Sequence, residues 1–284
     1  MTKVLIVTFS QTGSTQKIAD QIAKGLGTSD CEVTQIPLTD NKIPDPNNFD
    51  IIGIGTPTYF FRPPFLVMDF VKKLVGLENK SSFVFILHGT IQGDCGNWIR
   101  RELNKKGSKD LGYFKSFGAD YFIGYIKRGT LFSPYSPNEQ ELSYAETFGK
   151  TVAVRFKHKI QEVEEFDPRT PFMYTLERML ASRLFAKIMY SKIFRTDKKC
   201  NNCGICIKKC PVENIYQNEN GKLKWQSKCI LCATCELSCP KDAIHSAFDW
   251  IVFTPFMIYN ISHSKNKKIT FVNVNHRNGK TVMI

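Results

Sequence analysis

A chain of 284 residues that is 42% hydrophobic and 23% charged has the composition of a folded globular protein, which excludes a disordered or low-complexity one. Its length allows one large domain or two moderate ones. The net charge of +13 invites a nucleic-acid reading, but no recognisable binding motif accompanies it, and none is assigned.

The first element is the apolar run Val4-Leu5-Ile6-Val7-Thr8-Phe9, the pattern of a strand buried on both faces of a parallel sheet. Ser10-Gln11-Thr12-Gly13-Ser14-Thr15 follows, and Ile18, Ala19, Ile22, Ala23 and Leu26 then recur at helical spacing. This strand–turn–helix unit has neither a G-x-G-x-x-G nor a lysine-bearing phosphate loop. It offers instead hydroxyls and backbone N–H groups at a helix N-terminus, which suit a terminal phosphate; a plain capped helix is the competing reading. Cys31 falls in an expected strand. Asp50 to Gly55 predicts another buried strand, followed by the loop Thr56-Pro57-Thr58-Tyr59-Phe60-Phe61-Arg62-Pro63-Pro64 and a helix from Phe65 to Val75. Ser82 to Leu87 predicts a third buried strand. The loop after it contains Gly89, Thr90, Gly93, Cys95 and Gly96, and a helix is expected from Trp98 to Lys105. Alternation of strands and helices predicts a doubly wound α/β sheet, with a ligand beyond the carboxyl ends of its central strands. Two residues in this region read more simply as structure: His88 as a satisfied histidine and Cys95 as a buried, inert thiol. Arg62 reads equally as a site residue or a solvated one. Pro137 to Glu165 predicts the closing helix.

The S-x-T-G-x-T loop with G-T-P-T-Y downstream resembles flavodoxin over residues 1–165. The resemblance implies FMN, with Ser10, Gln11, Thr12, Gly13, Ser14 and Thr15 around its phosphate. Thr56, Pro57, Thr58, Tyr59 and Phe60 would line the isoalloxazine, with Gly89, Thr90, Gly93, Cys95 and Gly96 on its far side. Flavodoxins stack an aromatic from that last loop on the ring, whereas this loop has none before Trp98. Tyr59, Phe60 and Phe61 are the aromatics available instead, or they are core.

Beyond Asp167-Pro168 the balance of charge changes. Residues 1–166 hold 20 Lys and Arg against 18 Asp and Glu, whereas residues 167–284 hold 19 against 8. In the connector, 166–197, Met173, Leu176, Leu180, Leu184 and Ile188 make an apolar stripe, with Arg178, Arg183, Lys187, Lys192 and Arg195 largely opposite. A basic amphipathic helix is expected here, packed on its own protein between the two cofactor domains in preference to a membrane surface.

Eight of the ten cysteines then fall in two matching runs, Cys200-x2-Cys203-x2-Cys206-x3-Cys210-Pro211 and Cys229-x2-Cys232-x2-Cys235-x3-Cys239-Pro240. Zinc sites draw on separated C-x2-C pairs, whereas evenly stepped triplets with a fourth cysteine before proline are the spacing of [4Fe–4S] ligands. In two-cluster proteins the fourth cysteine of each run serves the other cluster. One cluster is therefore expected on Cys200, Cys203, Cys206 and Cys239, and the other on Cys229, Cys232, Cys235 and Cys210. Asn220-Gly221 predicts a hairpin between the runs. Residues 198–246 resemble a bacterial two-cluster ferredoxin, which implies a small α+β domain carrying single electrons at low potential. Clusters ligated by four thiolates each carry about −2 when oxidised, so the basic half either offsets them or meets an acidic partner. The tail, 247–284, carries no motif.

The whole chain resembles the flavodoxin–ferredoxin fusion proteins. The resemblance implies an electron-transfer protein containing FMN and two [4Fe–4S] clusters, and serving a redox partner protein with an acidic docking surface. An FMN-dependent reductase or oxidase of a small substrate is the alternative. Met1 to Val7 is too short for a signal peptide, and the Trp250–Ile261 run is short and broken by Pro255, so a cytoplasmic protein without a membrane span is expected.

Overall fold

The continuous apolar runs of the N-terminal half become the inner strands of a parallel sheet. In the computed structural model these are β1 (Thr2–Thr8), β3 (Ile51–Pro57) and β4 (Ser81–His88), flanked by β2 (Cys31–Pro37) and β5 (Lys109–Phe117). The structure describes residues 1–40, 43–160, 163–167 and 172–284, except the side chains of Met173, Met189, Tyr190, Ser191 and Val252. The Pro168 end of the charge break and the Met173 position of the apolar stripe therefore lie outside what is described.

All five strands pair in parallel in the order β2-β1-β3-β4-β5, the flavodoxin-like doubly wound topology. β5 completes the sheet although its sequence does not announce it. Lys109-Asp-Leu-Gly-Tyr-Phe-Lys-Ser-Phe mixes polar and apolar residues as an edge strand does, whereas β4 before it has the continuous apolar run Phe83 to Leu87. The Gly-Ile-Gly of β3 has a packing cause: a Cβ on Gly53 would lie 2.3 Å from the Phe83 ring, and one on Gly55 2.1 Å from that of Phe85. Those two phenylalanines join Val4, Ile6, Ile18, Ile22, Phe148 and Val152 in the main core.

Helix α1 (Ser14–Gly27) presents Ile18, Ala19, Ile22 and Leu26 to this core. Across it packs α5 (Glu139–His158), opened by a reciprocal Asn138–Glu141 capping box and ended by Lys159 in the left-handed region. The closing helix is thus shorter than the expected 137–165, and residues 163–167 continue as irregular chain. That chain is anchored by the fully buried Arg100, which pairs with Asp110 at 2.8 Å and donates to the carbonyls of Glu164 and Glu165. In sequence, α2 (Phe65–Lys73) connects β3 to β4 and α3 (Cys95–Lys105) connects β4 to β5.

The chain divides into two compact units that do not follow sequence order. Met1–Ala119 and Tyr135–Phe172 form the first, and Asp120–Pro134 and Met173–Ile284 the second. Residues 120–134 thus leave the flavodoxin-like sequence, contribute α4 (Ile123–Ile126) and β6 (Thr130–Phe132) to the second unit, and return. β6 pairs antiparallel with β11 (Phe271–Arg277), itself paired with β12 (Lys280–Met283). Tyr125 and Phe132 pack with Met257 of α11 (Thr254–Asn266), and Ile126 and Leu131 with Val274. The motifless tail therefore completes a core.

The connector is not one helix. It forms α6 (Phe172–Leu180), α7 (Arg183–Phe185), a π-turn at Ala186–Tyr190 and α8 (Ser191–Ile193). Ser182 restarts the helix as an N-cap, its Oγ accepting from the Phe185 amide at 3.4 Å, which divides the stripe. Of the stripe, Leu176, Leu184 and Ile188 are exposed and Leu180 is half-buried.

The two cysteine runs fold as backbone repeats. Asn202 and Leu231, Gly204 and Ala233, and Glu213 and Asp242 occupy matching positions, and all six have positive φ. Each run closes on a short helix, α9 (Ile205–Lys208) or α10 (Thr234–Leu237). The Asn220-Gly221 hairpin forms between β8 (Ile215–Gln217) and β9 (Leu223–Trp225), with Gly221 at φ 71°. β7 (Arg195–Thr196) and β10 (Ile244–His245) pair antiparallel and bracket the segment.

The crossing of α1 and α5 depends on glycine. A Cβ on Gly149 would meet the Ile22 carbonyl oxygen at 2.2 Å, whereas one on Gly27 would meet nothing within 4 Å. Gly149→Val is expected to cost at least about 2 kcal/mol, the scale of overpacking a filled core. Urea denaturation should show a lowered midpoint for that variant and a near-native one for Gly27→Ala.

Candidate functional site

The loops expected to hold a flavin all leave the same end of the parallel sheet. Ser10–Thr15 follows β1, Thr56–Arg62 overlaps and follows β3, and Gly89–Asp94 follows β4. Gly13, at φ 92°, turns the chain into α1, and its amide is held by Ser10 Oγ at 3.1 Å. The amides of Thr12, Ser14 and Thr15 find no acceptor among the described residues. The first turn of α1 carries no acidic residue. A Cβ on Gly13 would meet nothing within 4 Å, so the space in front of the turn is open. Open amides at a positive helix end, with neutral hydroxyls around them, fit a phosphate dianion.

The second loop is brought to the first by the Tyr59 hydroxyl, which is hydrogen-bonded to Gln11 Oε1. Tyr59 and Arg62 exchange backbone hydrogen bonds across Phe60 and Phe61, both in the left-handed region. That tight turn separates the three aromatics. Phe61 is buried, whereas Tyr59 and Phe60 remain half-buried, with Tyr59 edge-on to Phe9. Phe61 is therefore core, whereas Tyr59 and Phe60 keep part of their surface exposed. The buried Thr58 Oγ1 beside them closes no hydrogen bond of ordinary geometry among the described residues.

The third loop is fixed to the second. The Asp94 amide donates to the Phe61 carbonyl at 2.9 Å, and a Cβ on Gly93 would lie 2.4 Å from the Phe61 Cβ. Gly89, Thr90 and Gly93 sit in this loop, but Cys95 and Gly96 open α3, which starts three residues earlier than expected. Gly96 faces the Tyr113 ring at 2.2 Å from a would-be Cβ, so it serves the packing of α3 on β5. The Cys95 thiol is fully buried toward the Pro57 carbonyl, and burial pushes its pKa up to about 12. Burial likewise pushes His88 down to about 4, so it is neutral at pH 7, packed on the Phe117 ring at 4.6 Å. Neither residue is a proton donor poised for chemistry.

In the second unit, Cys210 lines one pocket together with Cys229, Cys232 and Cys235, flanked by Phe194, Ile215 and Trp225. Among the described residues, no group of three or more His, Cys, Asp and Glu is disposed to hold a single metal ion. The four thiols surround a volume, which fits a polynuclear cluster better than one zinc ion. Cys200, Cys203 and Cys206 follow one another at two-residue spacing, with Cys206 buried and Cys200 packed on the same core. Cys239 is buried in the core that all these loops share.

Burial dominates the thiols. It pushes Cys229 up to about 12 and raises Cys232, Cys235 and Cys206, so thiolates there need compensating cations. The protein adds donors. Asn214 N–H bonds Cys210 Sγ at 3.2 Å, and Ala243 N–H bonds Cys239 Sγ at 3.3 Å, the same four-residue step in each repeat. Leu231 N–H reaches Cys229 Sγ at 3.4 Å. The Trp225 indole and the Thr234 hydroxyl favour the thiolates of Cys235 and Cys232 without closing hydrogen bonds of ordinary geometry. The left-handed residues between cysteines turn successive amides inward, the concave nest that suits anionic sulfur clusters. Sequence reasoning missed Trp225, Thr234 and Asn214. No repeat signal marks them, because Ala243, Ile205 and Thr196 stand at the matching positions of Asn214, Thr234 and Trp225.

Comparison with known proteins agrees with this geometry. Residues 5–123 match the flavodoxin domain family, and residues 199–244 match the 4Fe-4S dicluster domain family. Among solved structures, a flavodoxin from Streptococcus pneumoniae is 23% identical, covering 54% of this chain and 99% of that one, at a TM-score of 0.44. A flavodoxin from the domain Archaea is 18% identical, covering 55% and 99%, at 0.46. Flavodoxin 1 from Bacillus cereus is 18% identical, covering 54% and 98%, at 0.44. The chain is thus a flavodoxin domain followed by a 4Fe-4S dicluster domain, the pairing of a flavin and iron–sulfur electron-transfer protein.

Proposed function

We propose that this protein relays electrons between FMN and two [4Fe–4S] clusters, and on to or from a redox partner protein. When bound, FMN supplies one- and two-electron chemistry and each cluster supplies single-electron chemistry. The observation that carries the reading is the grouping of Cys210 with Cys229, Cys232 and Cys235 around one cavity, as a shared-ligand pair of clusters requires. Cys200, Cys203, Cys206 and Cys239 are left as the second set.

On the flavin side, Ser10 to Thr15 would bind the phosphate through amides and hydroxyls, and Thr56 to Phe60 with Gly89 to Gly93 would line the ring. These residues position a cofactor and offer no acid–base pair. His88 is neutral and buried, Cys95 is an inert thiol, and Asp94 is engaged by Arg101 at 3.3 Å. A carrier needs position and potential only, whereas a reductase of a small substrate needs a proton source at the ring. This favours the carrier. Placing both cofactor domains on one chain raises the effective concentration of donor for acceptor.

Two outcomes follow. In Cys210→Ser, low-temperature electron paramagnetic resonance should show damage to the cluster held by Cys229, Cys232 and Cys235. Damage confined to the cluster of Cys200, Cys203 and Cys206, Cys210's neighbours in sequence, would reverse the ligand assignment. In anaerobic stopped-flow, a one-electron reductant should bleach clusters and flavin in linked phases. Thr12→Val with Thr15→Val should weaken FMN binding by a few kcal/mol, the scale of lost hydrogen bonds to a charged group, and abolish the linkage while the clusters stay reducible. Independent phases in the intact protein, with fast turnover of a small substrate, would favour the reductase.

A further inference from the structure

The two cysteine runs match in spacing but not in surroundings. Residues 197–210 and 226–239 cover the same positions of the repeat. In the first run Asn201, Asn202 and Cys203 are exposed. At the matching positions of the second, Ile230 and Leu231 are buried and Cys232 is half-buried. Loop chemistry accounts for part of this, because asparagines stay in water where isoleucine and leucine seek a core. The rest comes from the 120–134 excursion and the tail, which pack on the second run and its turn through Leu237, Glu236 and Asp242.

Charge divides the runs in the same way. Residues 197–210 carry Lys198, Lys199, Lys208 and Lys209, all exposed, against the single carboxylate of Asp197. That carboxylate is met by His245 Nε2 at 3.1 Å. None of the four lysines closes an ion pair among the described residues. Residues 226–239 carry only Lys228 and Glu236, and Glu236 is buried against Lys127. Ser227, Leu237 and Ser238 stand where the first run has Lys198, Lys208 and Lys209.

Electron transfer falls off steeply with distance, so a ligand loop at the surface marks the cluster that another protein can approach. Exposed lysines flanking that loop steer an acidic partner to it, and weak redox encounters are small and charge-led. Nucleic acid is the other polyanion to consider. Residues 197–210 hold no arginine to fork a phosphate and no aromatic to stack a base, which favours the protein.

We propose that the cluster of Cys200, Cys203, Cys206 and Cys239 is the port through which this chain exchanges single electrons with a protein bearing an acidic face. The port rests on the relay reading above. In each transfer one electron passes between this cluster and the partner's one-electron centre, and no bond forms or breaks.

The test uses the full chain, loaded with FMN and clusters under nitrogen and then reduced, in two variants of equal charge change. Lys208→Glu with Lys209→Glu alters the first run. Lys222→Glu with Lys224→Glu alters the hairpin whose Trp225 lines the pocket of the second. The oxidant is tris(oxalato)cobaltate(III), an anionic complex that takes one electron and becomes cobalt(II). Rapid-freeze electron paramagnetic resonance follows the clusters apart from the flavin. At low salt the first variant should react at least about fivefold more slowly than wild type, and faster with cationic hexaamminecobalt(III). The hairpin variant should change little. Labelled polyglutamate, read by fluorescence anisotropy, should bind the first variant at least about tenfold more weakly than the other two chains. Its binding should fail at about 1 M salt, where the screening length is about 3 Å. Lys198→Glu with Lys199→Glu replaces the first variant should that one lose its cluster spectrum. Slowing by the hairpin variant alone would move the port to the second run, and equal slowing by both would reduce the effect to net charge. Either result overturns the proposal. So would absence of polyglutamate binding to wild type, or tighter binding of a duplex DNA oligonucleotide, which would assign the face to nucleic acid. These readouts follow clusters and docking only, so their failure is distinct from the unlinked flavin and cluster phases that would refute the relay.

Discussion

Burying thiolates in an apolar unit is unfavourable unless cations lie beside them, and much of the second unit is organised around that constraint. Burial, and after it the neighbouring thiols, raise the pKa of Cys206, Cys229, Cys232 and Cys235. The backbone answers with left-handed residues at matched positions in both repeats, which aim amides at sulfur. Some of these positions are costly. Leu231 and Ala233 carry side chains where only glycine is unstrained, at about 1–3 kcal/mol each. Such strain persists because the loop is over-determined by its ligands and by the core of Phe194, Ile215 and Ile244 around it.

Around that centre, distant parts of the chain are drawn into one unit. Lys127, from the 120–134 excursion, pairs with Glu236, which lies between two of the cysteines, and with Asp249 of the tail at 2.5 Å. Glu236 is buried, so Lys127 is the cation that makes its burial tolerable. The Gly279 and Asn278 amides of the terminal hairpin both donate to Asp242, in the turn after Cys239. Excursion and tail thus scaffold the loop of the second run.

How much of this could be read in the sequence follows from the range of each interaction. The buried strands β1, β3 and β4, the helix α1 and the two cysteine runs are signalled by consecutive residues, and all form. The pairing of β6 with β11 links residues more than 130 positions apart with no local signature, so the excursion and the role of the tail were not foreseen. The connector was legible in composition, but not the break at Ser182 that divides its stripe between α6 and α7. Periodicity states which residues share a face and is silent on what that face meets. The same limit applies to Tyr59, Phe60 and Phe61, whose fates diverge through a two-residue left-handed turn.

The central claim is that one chain holds a flavin mononucleotide and two four-iron clusters. Its most direct test is the content of iron, acid-labile sulfide, zinc and extracted flavin in protein purified without oxygen. The account predicts about eight iron and eight sulfide per chain, from two four-iron clusters, with FMN as the flavin. About four iron, zinc in place of iron, or FAD in the extract would contradict it.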